Sequence, residues 1–161
     1  MLSSVRKALF DILGDRIPGA NVLDIFAGTG SLGIESLSRG ANSAVFIEKS
    51  RNVSEALFHN ISECGLADRS RIITDDWRNG LRRTAESGMK FEVIYIDPPF
   101  EMDLYRVVID EIKRLSLLHE AGVAVVKHPS NVSGSDLGSS LEAYDTRKYG
   151  STRITFLREV K

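Results

Sequence analysis

The sequence predicts an α/β fold: a mostly parallel sheet with helices on both faces and an antiparallel hairpin at its C-terminal end. Three observations carry this. Short apolar runs alternate with stretches of helical spacing from Ser4 to Val126, the pattern of right-handed strand–helix–strand units. The segment Gly28-Thr29-Gly30-Ser31-Leu32-Gly33 falls directly between a strand and a helix. The closing segment alternates apolar and polar residues around a Gly150-Ser151 turn, as a hairpin does.

Taken in order, Ser4 to Leu13 places Val5, Leu9, Ile12 and Leu13 at helical spacing, with Ser3 or Ser4 available as N-cap. Asn21 to Phe26 is an apolar strand that ends in Ala27-Gly28-Thr29-Gly30, and Ser31 to Ser38 is a helix closed by Gly40. Ala44 to Ile47 is the second strand, ending at Glu48, and Asn52 to Glu63 the helix after it. Arg71 to Thr74 is the third strand, ending at Asp75-Asp76-Trp77, with a short helix at Leu81 to Ala85. Phe91 to Ile96 is the fourth strand. Leu104 to Leu115 is a helix whose Val107, Val108, Ile112 and Leu115 are apolar. Gly122 to Val126 is the fifth strand, closed by Lys127-His128-Pro129. Ser130 to Ser140 reads as a Ser- and Gly-rich loop, and Ala143 to Tyr149 with Arg153 to Leu157 as the hairpin.

With 161 residues the chain suits one domain with a sizeable core. Its net charge of −1 neither demands nor excludes a nucleic-acid partner, so attraction to phosphate rests on local patches. The single cysteine, Cys64, rules out an internal disulfide and, without a secretory signal, points to the cytoplasm. Cys64 reads as a small buried or half-buried hydrophobe. No apolar run approaches the roughly 18 residues of a membrane span. One cysteine and three scattered histidines argue against a metal site.

The glycine segment has the context a nucleotide cofactor requires, and Glu48 follows at the distance of a ribose ligand. Alone, the motif does not choose the cofactor. Asp24, inside the first strand, can orient the glycine loop or receive a cationic group such as the ammonium of a methionine moiety. It does little for a pyrophosphate. Asp75 or Asp76, with Asp76 preferred, can accept a hydrogen bond from an adenine amino group, and Trp77 offers a packing surface beside them. Acids therefore end the second, third and fourth strands in turn. S-Adenosylmethionine fits such a cleft. Glu48 takes both ribose hydroxyls, and the glycine loop lets the backbone approach closely.

The fourth strand stops abruptly at Asp97-Pro98-Pro99-Phe100. In open α/β sheets that edge is where ligands bind. Methyl transfer to an exocyclic nucleobase amine needs such a set, because that nitrogen's lone pair is delocalised into the ring. Asp97 and the Pro98 carbonyl can each accept one N–H, and both contacts strengthen as positive charge develops on nitrogen. Phe100 offers a face for the base, a contact of roughly 1–3 kcal/mol. The motif fits guanine or adenine. A nicotinamide-binding domain and a non-catalytic RNA-binding module are the alternatives from other classes.

Asp24-Ile25-Phe26-Ala27-Gly28-Thr29-Gly30 resembles the cofactor loop of class I S-adenosylmethionine-dependent methyltransferases, and Asp97-Pro98-Pro99-Phe100 their amino-methylating motif. Val5-Arg6-Lys7-Ala8-Leu9-Phe10, Leu37-Ser38-Arg39-Gly40-Ala41, Phe46-Ile47-Glu48-Lys49 and Tyr149-Gly150-Ser151-Thr152-Arg153 resemble bacterial 16S rRNA guanine-N2 methyltransferases of the RsmD type. The resemblance implies a Rossmann-like, seven-stranded sheet with one antiparallel edge strand. It implies a cofactor site of Asp24, Phe26, Ala27, Gly28, Thr29, Gly30, Glu48, Lys49, Asp75, Asp76 and Trp77, and a catalytic segment of Asp97, Pro98, Pro99 and Phe100. The implied partner is 16S rRNA or the small ribosomal subunit, met by a monomeric cytoplasmic enzyme without a metal. Members of that family usually begin with a further basic, glycine-containing segment ahead of the first helix.

Among the remaining polar residues, Arg6 is a candidate to line the cleft. Arg147, Lys148, Arg153 and Arg158 make the hairpin locally basic, and Arg78, Arg82 and Arg83 form a second basic group. His59 and His119 read as surface or packing residues on helix-like stretches. His128 reads as a rim residue within reach of RNA, and Tyr95 as core.

Overall fold

Runs of β-branched and aromatic residues that are buried on both faces form the central strands, as a sheet covered by helices on each side requires. The computed structural model describes residues 1–99, 104–138 and 140–161. The strands are β1 (Asn21–Asp24), β2 (Ser43–Glu48), β3 (Ser70–Thr74), β4 (Phe91–Ile96), β5 (Leu118–Pro129), β6 (Glu142–Tyr149) and β7 (Thr152–Arg158). The helices are α1 (Ser3–Leu13), α2 (Ser31–Ser38), α3 (Arg51–Glu63), α4 (Trp77–Glu86) and α5 (Tyr105–Arg114).

The seven strands pair in the order β3-β2-β1-β4-β5-β7-β6. Neighbours from β3 through β5 are parallel. β7 runs antiparallel to both β5 and β6. The single antiparallel strand is therefore one place in from the edge, not at it. The edge belongs to β6, most of whose residues are exposed. Side-chain alternation splits the core in two. Leu9, Phe10 and Leu13 of α1, Leu37 of α2 and Leu57 of α3 pack on Val22, Phe46, Val93 and Tyr95 on one face. Leu81 of α4 and Val108, Ile109 and Ile112 of α5 pack on Leu23, Val45, Ile94 and Val126 on the other.

Several elements differ from the sequence expectation. The N-cap position of α1 is Leu2, which offers no side-chain cap, so neither Ser3 nor Ser4 caps the helix. α4 begins at Trp77 rather than Leu81 because the Asp76 side chain accepts a hydrogen bond from the Asn79 amide and caps it. β5 runs from Leu118 to Pro129, and an irregularity between Phe91 and Val93 of its partner absorbs its extra residues. That puts His119 on a strand, and His128 inside β5 rather than beyond it. Cys64 is exposed, because it is the C-cap of α3 ahead of Gly65 at φ +68°.

α2 lies close on β2. A Cβ on Gly33 would stand 2.3 Å from Phe46 Cε1 and 2.7 Å from its Cζ. The Phe46 ring is fully buried and has no room to turn away. Gly33→Ala is expected to cost about 2 kcal/mol and to lower the thermal midpoint by roughly 4–8 °C. Calorimetry checks this, and an unchanged midpoint would contradict the close helix–strand approach.

Candidate functional site

β1 pairs with β2 on one side and β4 on the other, so the strand order reverses between β1 and β4. A crevice opens at the C-terminal strand ends beside such a switch point. Here it is a cleft of about 1130 Å³. Phe26 and Gly28 line it after β1, Glu48, Lys49 and Ser50 after β2, and Asp75, Asp76 and Trp77 after β3. Asp97, Pro98 and Pro99 line it after β4, and Lys127 from β5. Phe100 lies outside the described residues.

Glu48 ties two loops together. Its Oε1 accepts from the Gly28 amide at 2.9 Å and its Oε2 from the Ser50 amide at 2.7 Å. Each oxygen keeps acceptor capacity for a further donor. Gly28, at φ +58°, has open space around it, and a built Cβ meets nothing within 4 Å. This leaves bare backbone against the cleft, where a ligand can approach.

At the end of β3, Asp75 accepts from the Asp76 amide at 2.8 Å and lies 3.7 Å from Arg83. Both Asp76 oxygens engage Asn79, one at its amide and one at its side-chain nitrogen, each at 2.9 Å. The Arg78 guanidinium sits 4.6 Å over the Trp77 ring and 3.2 Å from Glu111. Asp75 and Asp76 thus brace the start of α4 as well as facing the cleft.

Four predicted cofactor residues do not line the cleft. Asp24 is buried beneath it. Ala27 is buried as well, its amide donating to the Ile47 carbonyl at 3.0 Å. The Thr29 carbonyl accepts from Asn60 on the α3 side, by a separate shallow pocket. Gly30, at φ +92°, caps α2 and packs so closely that a Cβ would stand 2.3 Å from Leu57 Cδ1. These residues shape the loop whose outer side is Phe26 and Gly28. Arg6 also lines that separate pocket instead of the cleft. His128 is fully buried, with Nε2 2.7 Å from Thr155 Oγ1 and its ring edge-on to Tyr105, so it cannot touch RNA. Tyr95 is core, as expected.

The basic groups are partly neutralised within the chain. Arg147 pairs with Asp145 and Arg158 with Glu142. Sequence reasoning did not pick out Ser50, Arg78, Asn79, Leu104 or Lys127 as lining residues. For Lys127 a signal existed: it directly follows a buried run, and Asp97 does the same on the neighbouring strand.

Burial pushes the Asp24 carboxyl up to about 7, and the nearby Asp97 and Glu48 carboxylates add to the shift. The Gly33 amide opposes it. A carboxyl raised in the folded state contributes stability that is full below the unfolded value near 3.8 and lost as pH rises through about 7. Asp24→Asn is therefore expected to flatten a decline on the order of 4 kcal/mol between pH 4 and 8. Chemical denaturation across that range checks this, and parallel pH curves for variant and wild type would contradict it.

The family model described as conserved hypothetical protein 95 matches residues 1–158. The ribosomal RNA small subunit methyltransferase D of Escherichia coli K12 is 37% identical over 106 residues, which span 66% of this chain and 52% of that protein. The uncharacterized methylase RP545 of Rickettsia prowazekii is 27% identical, covering 96% of this chain and 86% of its own. The solved structure of a hypothetical protein from Thermus thermophilus superposes with a TM-score of 0.85 at 29% identity, covering 98% of this chain and 86% of that one.

Proposed function

Because this chain belongs to the conserved hypothetical protein 95 family over residues 1–158 and has the Rossmann-like fold of class I methyltransferases, we propose that it methylates ribosomal RNA of the small subunit. The cofactor in this reading is S-adenosylmethionine, and the acceptor is the exocyclic N2 amine of a guanine. The observation that carries the reading is the convergence of acids at the ends of β2, β3 and β4 on one cleft, between bare Gly28 backbone and Asp97-Pro98. A cleft lined by Glu48, Asp75, Asp76 and Asp97 suits a ligand with cationic centres and hydroxyl and amino donors.

S-Adenosylmethionine supplies an already activated methyl group when bound, so the protein's own task is binding and positioning. Glu48 holds the ribose hydroxyls with the acceptor capacity left over from Gly28 and Ser50. Asp76, with Asp75 beside it, reads the adenine amino group, and Trp77 packs against the ring. Lys49 lines the cleft beside Glu48 and is exposed. Asp97 and the Pro98 carbonyl accept the two N–H groups of the target amine and favour the pyramidal nitrogen of the transition state. Pro98 is buried, which fixes its carbonyl. Phe100 stacks the extruded base. The enzyme works as a cytoplasmic monomer in this reading. Among the described residues no helix is long and apolar enough to cross a membrane.

Calorimetric titration with S-adenosylmethionine and, separately, with NAD tests the cofactor assignment. Binding of the first and not of the second is expected. The reverse would replace this reading with a nicotinamide-binding domain.

A further inference from the structure

We propose that Lys127 is a positioning residue for the transfer, holding Asp97 ionised and in place as an acceptor for the target amine through an ion pair between β5 and the residue that follows β4. The proposal rests on the methyltransferase reading above.

The placement follows from strand register. Ile96, the last residue of β4, pairs with Val126 of β5, so the residues that follow, Asp97 just past the end of β4 and Lys127 within β5, stand side by side. Lys127 Nζ lies 3.6 Å from Asp97 Oδ1. The side chains are 20% and 26% exposed, so water screens the pair only partly. At 3.6 Å the contact is Coulombic rather than a tight hydrogen bond. It steadies the carboxylate through Oδ1 and leaves acceptor capacity for an amine.

The surroundings explain why Asp97 needs such a partner. Desolvation pushes its carboxyl up, and Lys127 is the main opposing influence. Asp24 on β1 is close enough for the two carboxyls to repel when both are ionised. A protonated Asp97 would present a donor where the amine requires an acceptor. His128, one residue on, turns to the opposite face toward Tyr105 and Thr155 and takes no part.

The test combines two readouts on Lys127→Met and Lys127→Arg. One is the titration of the Asp97 carboxyl followed by carbon-13 NMR, and the other is the pH profile of methyl transfer. Lys127→Met is expected to raise the Asp97 midpoint by about one unit and to move the acid limb of the profile by the same amount, roughly a tenfold loss on that limb. Lys127→Arg should restore both, and affinity for S-adenosylmethionine should stay within about threefold throughout. An Asp97 midpoint unmoved by Lys127→Met, or an equal loss of rate at every pH, would overturn the proposal. Lys127→Gln serves if Lys127→Met does not fold. If the wild-type protein transfers no methyl group, the functional reading fails, while the NMR titration still decides whether Lys127 governs Asp97.

Discussion

Asp97→Ala is expected to lower methyl transfer by roughly 100- to 1,000-fold while leaving the affinity for S-adenosylmethionine within a few-fold. The asymmetry follows from where Asp97 sits. It follows β4, whereas the Gly28–Glu48 contact joins the loops after β1 and β2. Its proposed contact is to the amine, and that contact gains strength only as charge develops on nitrogen. Removing it therefore raises the barrier and leaves most cofactor contacts untouched. Asp97→Asn keeps the shape but presents a carbonyl in place of a carboxylate, so it should fall between the wild type and alanine. Single-turnover rates with binding measured separately check this. Equal losses in rate and cofactor affinity would contradict the assigned role.

Glu48→Ala is expected to produce the opposite pattern, a loss of roughly 100-fold or more in cofactor affinity. Its carboxylate accepts the Gly28 and Ser50 amides at 2.9 and 2.7 Å, so the truncation frees two loops at once. Each hydrogen bond to a charged group is worth about 1.5–3 kcal/mol, and the ribose contacts are lost as well. Glu48→Gln keeps one acceptor and should lose about tenfold. Titration calorimetry distinguishes these, and an affinity within about threefold of wild type for Glu48→Ala would remove Glu48 from the site.

Much of this arrangement was legible in the sequence, because parallel strands buried on both faces read as continuous apolar runs and their ends are marked by acids. Val93-Ile94-Tyr95-Ile96 followed by Asp97 located both a strand and a cleft wall, and Glu48 and Asp75 did so for two more strands. What stayed hidden was set by contacts distant in sequence or by local caps. α4 looked short because Arg78, Arg82 and Arg83 mask its apolar stripe and its cap depends on Asp76 meeting Asn79. The position of β7 between β5 and β6 depends on pairing that alternation alone does not specify. Asp24, Ala27, Thr29 and Gly30 belong to a recognisable segment, yet only Phe26 and Gly28 of the predicted residues there line the cleft, since a tight loop turns successive residues to different sides. Lys127 follows a buried run as Asp97 does, yet its pairing with Asp97 depends on β4 and β5 being neighbours in register.

The most direct measurement is transfer of a tritiated methyl group from S-adenosylmethionine into unmodified small ribosomal subunits, followed by digestion to nucleosides. Label recovered in N2-methylguanosine, and absent with Asp97→Ala, is the predicted result. Label in N6-methyladenosine would contradict the guanine assignment, and no label in RNA from a protein that binds the cofactor would contradict the proposed activity itself.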